Sequence, residues 1–219
     1  MPSLLNALRG KHLKARLTNP YDEFWDRRLG IETFGYVPKV GADHDPYVQV
    51  HYQPTPYGDV WRILRHLRLQ PEDVYVDLGS GLGRTVFAAH RLGAGRAIGV
   101  DINGALVQQC RQRVTTPAIE FIESPAQHYP HVHTTVLFMF HPFGPGTLSD
   151  VLARLDDSLD HRPRRVRVAY MNPVHNDCLR QSRYLHQVEA WPPAYNRWTR
   201  SGHYAVTFWE SRSELPSHA

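Results

Sequence analysis

The sequence predicts an α/β protein with a doubly wound, mostly parallel sheet of seven strands, a C-terminal antiparallel hairpin and a short N-terminal helical extension. From residue 58 onward, five short apolar runs alternate with segments whose apolar residues recur at helical spacing. Two further strand-like runs follow, and the residues between them leave no room for a long helix. Before residue 50, prolines and glycines divide the chain into short helical patterns and loops.

The alternating segments follow one another at the spacing of β-α-β units, which place parallel strands side by side. A first helix has its apolar face between Val60 and Leu69 and ends before Pro71. We predict strands over residues 74–78, 97–102, 119–122, 134–140 and 166–171, with helices near 84–92, 106–114 and 148–155. The runs 184–191 and 203–209 are predicted to pair as antiparallel strands at the sheet edge.

The chain of 219 residues suits one such domain and would be cramped for two. We therefore expect residues 51–219 to form one α/β domain. Residues 1–50 are too few to build a core of their own, so we expect an extension that packs on the domain through aromatic residues such as Phe24 and Trp25. This extension is predicted to cover the functional site as a lid.

The charge pattern argues against a nucleic-acid-binding protein. A formal net charge of +4 comes almost entirely from arginine, and the basic residues gather at 9–16 and 162–167 without forming a dense stripe. We interpret these groups as solvated helix faces and loop rims, and we do not expect nucleic acid as a partner. No membrane partner is expected either, since no apolar run is long enough to cross a bilayer.

The first residues have the wrong order of apolar and basic residues for a secretory signal, so we expect a cytoplasmic protein with reduced cysteines. Three histidines near residue 131 resemble a metal-binding cluster at first inspection. They are His128, His131 and His133, and they have no carboxylate or thiol at ligand spacing. We predict no metal site.

A glycine-rich loop between the first predicted strand and the next helix is the most informative segment. It contains Gly79, Gly81 and Gly83, and glycines allow both a sharp turn and a close approach of ligand atoms to the backbone. The helix that follows offers free N–H groups and a positive dipole end. Asp101 ends the next strand, at about the spacing from which an acid accepts hydrogen bonds from a ribose. The sequence therefore predicts an adenosine-type nucleotide site.

The residues around this loop separate two kinds of nucleotide enzyme. Dinucleotide dehydrogenases place a glycine where this chain has Arg84, and they lack a carboxylate at the position of Asp77. The segment D-L-G-S-G-x-G-R instead resembles motif I of class I S-adenosylmethionine-dependent methyltransferases, and in particular a bacterial subgroup of them. The resemblance implies a Rossmann-like domain over about residues 50–210 and S-adenosylmethionine as the cofactor. It also implies cofactor-binding roles for these residues: Asp77, Gly79, Ser80, Gly81, Gly83 and Asp101.

Two neighbouring segments extend the resemblance. Glu123 and Ser124 follow the third strand, where the family has an acid and a small residue that face the adenine amine. Thr55 and Tyr57 lie in a proline-containing loop that resembles a loop of the same bacterial subgroup. They are predicted to close over the amino-acid end of the cofactor, and a stiff linker is the alternative.

The acceptor is expected beyond the carboxyl ends of the fourth and fifth strands. His141 stands where the family often has Asn or Asp before proline, and an imidazole there suits a general base or an orienting hydrogen-bond donor. A buried histidine satisfied by the backbone is the alternative. Asn172 ends the fifth strand and either contacts the acceptor or caps the next helix. Trp191, Tyr195 and Trp198 either form a pocket wall or cover the sheet edge.

We therefore expect an enzyme, a methyltransferase that acts on nitrogen or oxygen of a small-molecule acceptor. Three alternatives remain open. A loose likeness to histone-lysine methyltransferases suggests a protein acceptor, and the weak basic character suggests RNA. Finally, enzymes of this fold also transfer or cyclise the aminocarboxypropyl arm of S-adenosylmethionine.

Overall fold

The computed structural model describes residues 20–33, 54–196 and 201–212. The helices are α1 Pro20–Leu29, α2 Tyr57–Leu67, α3 Arg84–Arg91, α4 Gly104–Arg111, α5 Pro145–His161 and α6 Asn176–Arg180. The strands are β1 Val74–Leu78, β2 Arg96–Asp101, β3 Ile119–Glu123, β4 Val136–Phe140, β5 Arg167–Met171, β6 Leu185–Trp191, β7 Ala194–Asn196, β8 Ser201–His203 and β9 Val206–Ser211. Within these residues, one 3₁₀ turn spans Ala126–His128.

Seven of the strands form one sheet in the order β3-β2-β1-β4-β5-β9-β6. Strands β1 to β5 pair in parallel, whereas β9 is antiparallel to both of its neighbours. The predicted doubly wound sheet and the antiparallel terminal pair are confirmed. The turn between that pair contains a feature that the sequence did not predict, a small two-stranded sheet of β7 and β8.

The core lies on both faces of this sheet, because successive side chains of a strand point to opposite sides. In β1, Tyr75 packs with the residues of α2 and α3, while Val76 and Leu78 pack with those of α5. The middle strands are apolar on both faces for this reason, as parallel strands covered by helices usually are.

The order of the strands fixes where a ligand can bind. The chain proceeds from β1 outward to β2 and β3, and then returns to β4 on the other side of β1. At such a switch point the loops after β1 and β4 diverge and open a crevice at the carboxyl ends of the strands. Strand β6 is antiparallel to β9 and β9 to β5, so β6 runs parallel to β1–β5 and the β7–β8 hairpin lies at the same edge.

The arginines before and within β5 lie at the opposite edge of the sheet and are engaged with the protein. Arg164 donates to the carbonyl oxygen of Thr134 at 2.8 Å, and Arg167 to the carboxylate of Asp73 at 2.6 Å. Arg165 pairs with Glu210 at the surface.

Among the described residues, no helix is both long and apolar enough to cross a membrane. The basic group at 9–16 lies outside the described residues, and the division into two units at residue 50 stays a prediction.

Candidate functional site

The glycine loop joins β1 to α3 at the switch point. Gly79, Gly81 and Gly83 have φ values of 78°, 53° and 77°, which side chains rarely adopt. Space is equally restrictive, because a Cβ on Gly79 would lie 2.5 Å from Cβ of Pro142, and one on Gly83 would lie 2.4 Å from the ring of Phe121. The loop therefore needs glycine, and its contact with Pro142 brings the end of β4 against it.

Asp101 supports this loop from the end of the neighbouring strand β2. Its Oδ2 accepts a hydrogen bond from the Gly81 N–H at 2.8 Å, and its Oδ1 accepts one from the Asn103 N–H at 2.8 Å. Burial raises the pKa of Asp101, and these two donors offset part of that rise. Each carboxylate oxygen has further lone-pair capacity. The arrangement therefore fits a pair of ribose hydroxyls, the role that the sequence predicted for Asp101.

Asp77 is buried near the end of β1, two residues before the first glycine of the loop. It is 3 % exposed, and the hydroxyl of Thr85 in α3 donates to its carboxylate. Burial raises the pKa of Asp77 to about 7, against the lowering effect of the Thr85 hydrogen bond. Ser80 is also buried, and its Oγ has no hydrogen-bond partner among the described residues. The Ser80 hydroxyl is thus a buried donor, and Asp77 is a carboxyl group with a pKa near 7. Both residues adjoin the loop backbone that would approach a ligand.

The end of β3 continues the site beside Asp101. Glu123 is the register partner of Asp101, and the Ser124 N–H donates to the Asp101 carbonyl oxygen at 3.0 Å. The Glu123 carboxylate lies against the first residue of α4, since a Cβ on Gly104 would be 2.7 Å from it. The structure therefore brings Glu123 and Ser124 next to Asp101, and their contact with an adenine remains a prediction.

Arg84, the first residue of α3, organises a buried polar cluster that the sequence did not reveal. It is 2 % exposed and donates to Asp22 at 2.7 Å and to Thr33 Oγ1 at 2.6 Å. It also donates to the Thr55 carbonyl oxygen at 2.8 Å, and its guanidinium lies 4.3 Å above the ring of Tyr57. The positive charge at a helix N-terminus is unfavourable by itself, so the carboxylate beside it is a necessary part of the arrangement.

The same cluster fixes the segments on either side of residues 34–53. Asp26 accepts hydrogen bonds from the Tyr57 hydroxyl at 2.7 Å and from the Thr33 hydroxyl at 2.8 Å. The Trp25 ring packs 4.5 Å from that of Trp61 in α2. The expected aromatic packing of the extension is therefore present, and buried ion pairs accompany it. Tyr57 is fully buried with its hydroxyl bound to Asp26, so a cofactor contact by Thr55 or Tyr57 stays a prediction.

His141 and Asn172 stand at the carboxyl ends of the adjacent strands β4 and β5. Both have left-handed backbone conformations, with φ values of 36° and 51°. Such strain in a residue other than glycine is concentrated at functional sites. The Nδ1 of His141 lies 3.2 Å from the Tyr170 hydroxyl, and the imidazole of His175 is 5.2 Å from that of His141. Burial and the neighbouring His175 lower the pKa of His141.

Asn172 does not cap the helix that follows it. The N-cap position of α6 belongs to His175, and Asn172 is tied to the sheet because its N–H donates to the Ala205 carbonyl oxygen at 2.8 Å. The helix-capping alternative is therefore wrong, because the chain makes a further turn between β5 and α6. This places Asn172 beside His141 at the edge where an acceptor is expected.

The remaining candidates have different surroundings. Trp191 packs on Phe208 at 4.5 Å, as an edge-covering residue would, whereas Tyr195 is 65 % exposed. Trp198 lies outside the described residues.

His131 is fully buried, and burial lowers its pKa to about 3. Within residues 20–33, 54–196 and 201–212, no three His, Cys, Asp or Glu side chains are grouped as a metal ion would require.

Comparison with known proteins identifies the kind of enzyme. Residues 76–161 match a family model described as a methyltransferase domain, and this range runs from β1 to the end of α5. No curated protein sequence matches the chain. The predictions of that enzyme class and of S-adenosylmethionine as its cofactor are confirmed.

Several solved structures share the fold. An RNA methyltransferase from Salinibacter ruber in complex with S-adenosyl-L-homocysteine matches with a TM-score of 0.57 and 22% identity, covering 76% of this chain and 98% of that one. A putative methyltransferase from Haloferax volcanii, in complex with the Trm112 activator, has a TM-score of 0.54 and 16% identity, with 71% and 89% covered. A putative S-adenosylmethionine-dependent methyltransferase from Listeria monocytogenes has a TM-score of 0.50 and 11% identity, with 71% and 99% covered. At these identities the structures show the fold alone.

Proposed function

We propose that this enzyme transfers a methyl group from S-adenosylmethionine to nitrogen or oxygen of a small-molecule acceptor. The observation that carries the proposal is the shared edge of the sheet. The glycine loop and Asp101 lie at the ends of β1 and β2, and His141 and Asn172 lie at the ends of β4 and β5, joined by the contact of Gly79 with Pro142. A cofactor on the first pair of strands would present its reactive end to the second pair.

The cofactor supplies a methyl group already activated on a sulfonium, so the protein has to bind, align and exclude water. In our proposal Asp101 accepts the ribose hydroxyls, and the backbone of Gly79 to Gly83 faces the methionine end. Glu123 and Ser124 border the adenine. Helix α1, fixed by Arg84, covers the loop from the N-terminal side.

His141 and Asn172 are proposed to contact the acceptor. The Tyr170 hydroxyl orients the His141 ring, and the lowered pKa keeps this imidazole neutral at physiological pH. A neutral imidazole and an amide are hydrogen-bonding groups for a polar acceptor. A small acceptor is favoured over RNA because the described arginines near β5 lie at the opposite edge and are partnered by the protein.

Cofactor binding is tested with Asp101→Ala. Loss of a charged hydrogen-bonding partner is worth about 1.5–3 kcal/mol, so S-adenosylhomocysteine should bind well over tenfold more weakly by calorimetry. The matched control is Asp177→Ala, which removes an exposed carboxylate of α6. Equal affinity in wild type and Asp101→Ala would remove the basis for the cofactor site.

The acceptor class is tested with S-adenosylmethionine labelled on the methyl group. The wild-type enzyme is incubated separately with a small-molecule extract, a protein extract and total RNA from cells. We expect label in the small-molecule pool together with adenosylhomocysteine. Label in protein or RNA would contradict the small-molecule proposal, and methylthioadenosine would indicate chemistry on the aminocarboxypropyl arm.

A further inference from the structure

A second histidine, His203, reaches the same edge of the sheet from the β7–β8 hairpin. The adjacent Tyr204 ring packs 4.9 Å from that of Phe140, the last residue of β4 and the residue before His141. The His203 ring also approaches the start of α2, because a Cβ on Gly58 would lie 3.2 Å from its Cε1. The hairpin therefore brings His203 to the start of α2, with the adjacent Tyr204 against the end of β4.

Asp59 in the first turn of α2 holds this imidazole. The Asp59 side chain is 0 % exposed, and its Oδ1 lies 3.0 Å from Nδ1 of His203. Arg62 donates to the same oxygen at 3.0 Å and to the Tyr204 carbonyl oxygen at 3.3 Å. Among the described residues, Asp59 is the charged group that contacts the His203 ring, and Arg62 is the charged group that contacts Asp59.

This geometry selects one tautomer of the imidazole. A carboxylate accepts hydrogen bonds, so Nδ1 of His203 carries the hydrogen and Nε2 carries the lone pair. No described residue is within hydrogen-bond distance of Nε2, and the side chain is 23 % exposed. The result is a basic nitrogen on a partly exposed ring that a buried carboxylate orients through the opposite side of the ring, the arrangement of a general base.

We propose that His203 is the proton acceptor of the methyl transfer and that Asp59 is its positioning residue. This inference rests on the proposed function. The acceptor's lone pair forms the bond to the methyl carbon, the sulfur–methyl electron pair stays on sulfur, and the acceptor's proton passes to Nε2 of His203. The imidazolium then releases the proton to solvent, so the step needs no further reactant.

The surroundings of the two histidines give them different tasks. His141 has the Tyr170 hydroxyl and the His175 imidazole as neighbours, and neither stabilises a protonated ring as a carboxylate does. His203 has the buried carboxylate of Asp59. A base must hold the proton at the moment of transfer, and this favours His203, with His141 as a neutral hydrogen-bonding group for the acceptor.

The state of the imidazole is measured without any acceptor, on protein labelled with ¹⁵N-histidine. The His203 resonances are assigned with His203→Gln. We expect the neutral His203 ring to be the Nδ1–H tautomer in wild type, and to lose that preference in Asp59→Asn, whose side chain no longer offers two acceptor oxygens. An Nε2–H tautomer in wild type, or the same tautomer ratio in Asp59→Asn, would overturn the proposal.

The chemical step is measured with the acceptor pool that becomes labelled in wild type. His203→Gln should lower the transfer rate at neutral pH by about 10²- to 10⁴-fold, remove the rise of rate with pH, and leave the affinity for S-adenosylhomocysteine within about twofold. Asp59→Asn should lower the transfer rate in proportion to its loss of the Nδ1–H tautomer. The matched control is His161→Gln at the exposed end of α5, which should retain the wild-type rate and profile.

The outcomes separate the two proposals. If wild type labels no pool, the proposed function fails. If wild type transfers methyl groups and His203→Gln keeps both the rate and the pH dependence, the assignment of His203 fails. If His141→Gln is the variant that loses the pH dependence, the base is His141 and the assignment of His203 is equally overturned.

Discussion

Replacing Arg84 with methionine removes the cation that compensates two buried carboxylates. Arg84 is 2 % exposed, and Asp22 and Asp26 are 5 % and 6 % exposed, at 2.7 Å and 3.6 Å from its guanidinium. Breaking a buried pair by removing one partner costs about 3–5 kcal/mol, because the remaining charge is left without compensation. For a domain of this size about 1 kcal/mol corresponds to about 2–4 °C, so the melting temperature should fall by about 6–20 °C.

The pH dependence of this loss has a definite sign. Burial already raises the pKa of Asp22, and Arg84 works against that rise. In Arg84→Met the folded protein holds the Asp22 proton at pH values where the unfolded chain has released it. Stability then declines as pH rises above the unfolded pKa, so the deficit relative to wild type should be larger at pH 8 than at pH 5.

The assay is thermal and urea unfolding of the variant and of a matched control. Arg96→Met removes the same kind of side chain from a surface pair, with Arg96 and Glu120 50% and 48% exposed and 3.0 Å apart. Exposed pairs contribute about 0–1 kcal/mol, so this control should unfold close to wild type. If Arg84→Met is no less stable than Arg96→Met, the cluster does not anchor helix α1 as argued.

Two further predictions concern the glycine loop and the acid beneath it. Gly83→Ala forces a side chain into a left-handed conformation and against Phe121, so it should destabilise the protein by about 1–3 kcal/mol and weaken binding of S-adenosylhomocysteine. The control is Gly146→Ala in α5, where a Cβ meets nothing within 4 Å and the substitution should be neutral or stabilising. Equal effects of the two substitutions on stability would contradict the steric argument. Burial raises the pKa of Asp77 to about 7, so between about pH 4 and pH 7 the ligand-free folded protein binds more protons than the unfolded chain and loses stability as pH rises. Asp77→Asn should reduce this dependence of the melting temperature on pH. An unchanged dependence in the variant would refute the raised pKa of Asp77.

The sheet and the nucleotide half of the site were predictable because their signals are local. Apolar runs of strand length, helical periodicity and glycines before Arg84 occur within a few residues of one another, and each depends on short-range geometry. Asp101 followed from its place at the end of the second strand. The parallel order of the strands then brings the loop and Asp101 together without further information.

The polar clusters were not predictable because their partners are remote in sequence. Arg84 meets Asp22 across 62 residues, and His203 meets Asp59 across 144. Neither acid has a spacing that distinguishes it from a solvated surface residue, and both lie in helices where acids in the first turn are common. Only the folded contacts show that these side chains are buried and paired. The same reason applies to Asn172, whose backbone conformation is set by its hydrogen bond to Ala205.

Arg84 belongs both to the local sequence signal of the glycine loop and to a cluster of residues that are remote in sequence. In the sequence it distinguishes the loop from that of a dehydrogenase, and in the structure it is the first residue of the helix whose N-terminus completes the loop. Its side chain binds α1 and the segment before α2, so both are held to the helix whose N-terminus completes the loop. Coupling between two sites is reciprocal, so if binding of a ligand at the loop favours the docked α1, loss of the docked α1 weakens the ligand by the same factor. Arg84→Met should therefore reduce the affinity for S-adenosylhomocysteine even in the folded fraction of the protein, although the Arg84 guanidinium is bound to α1 and to the segment before α2.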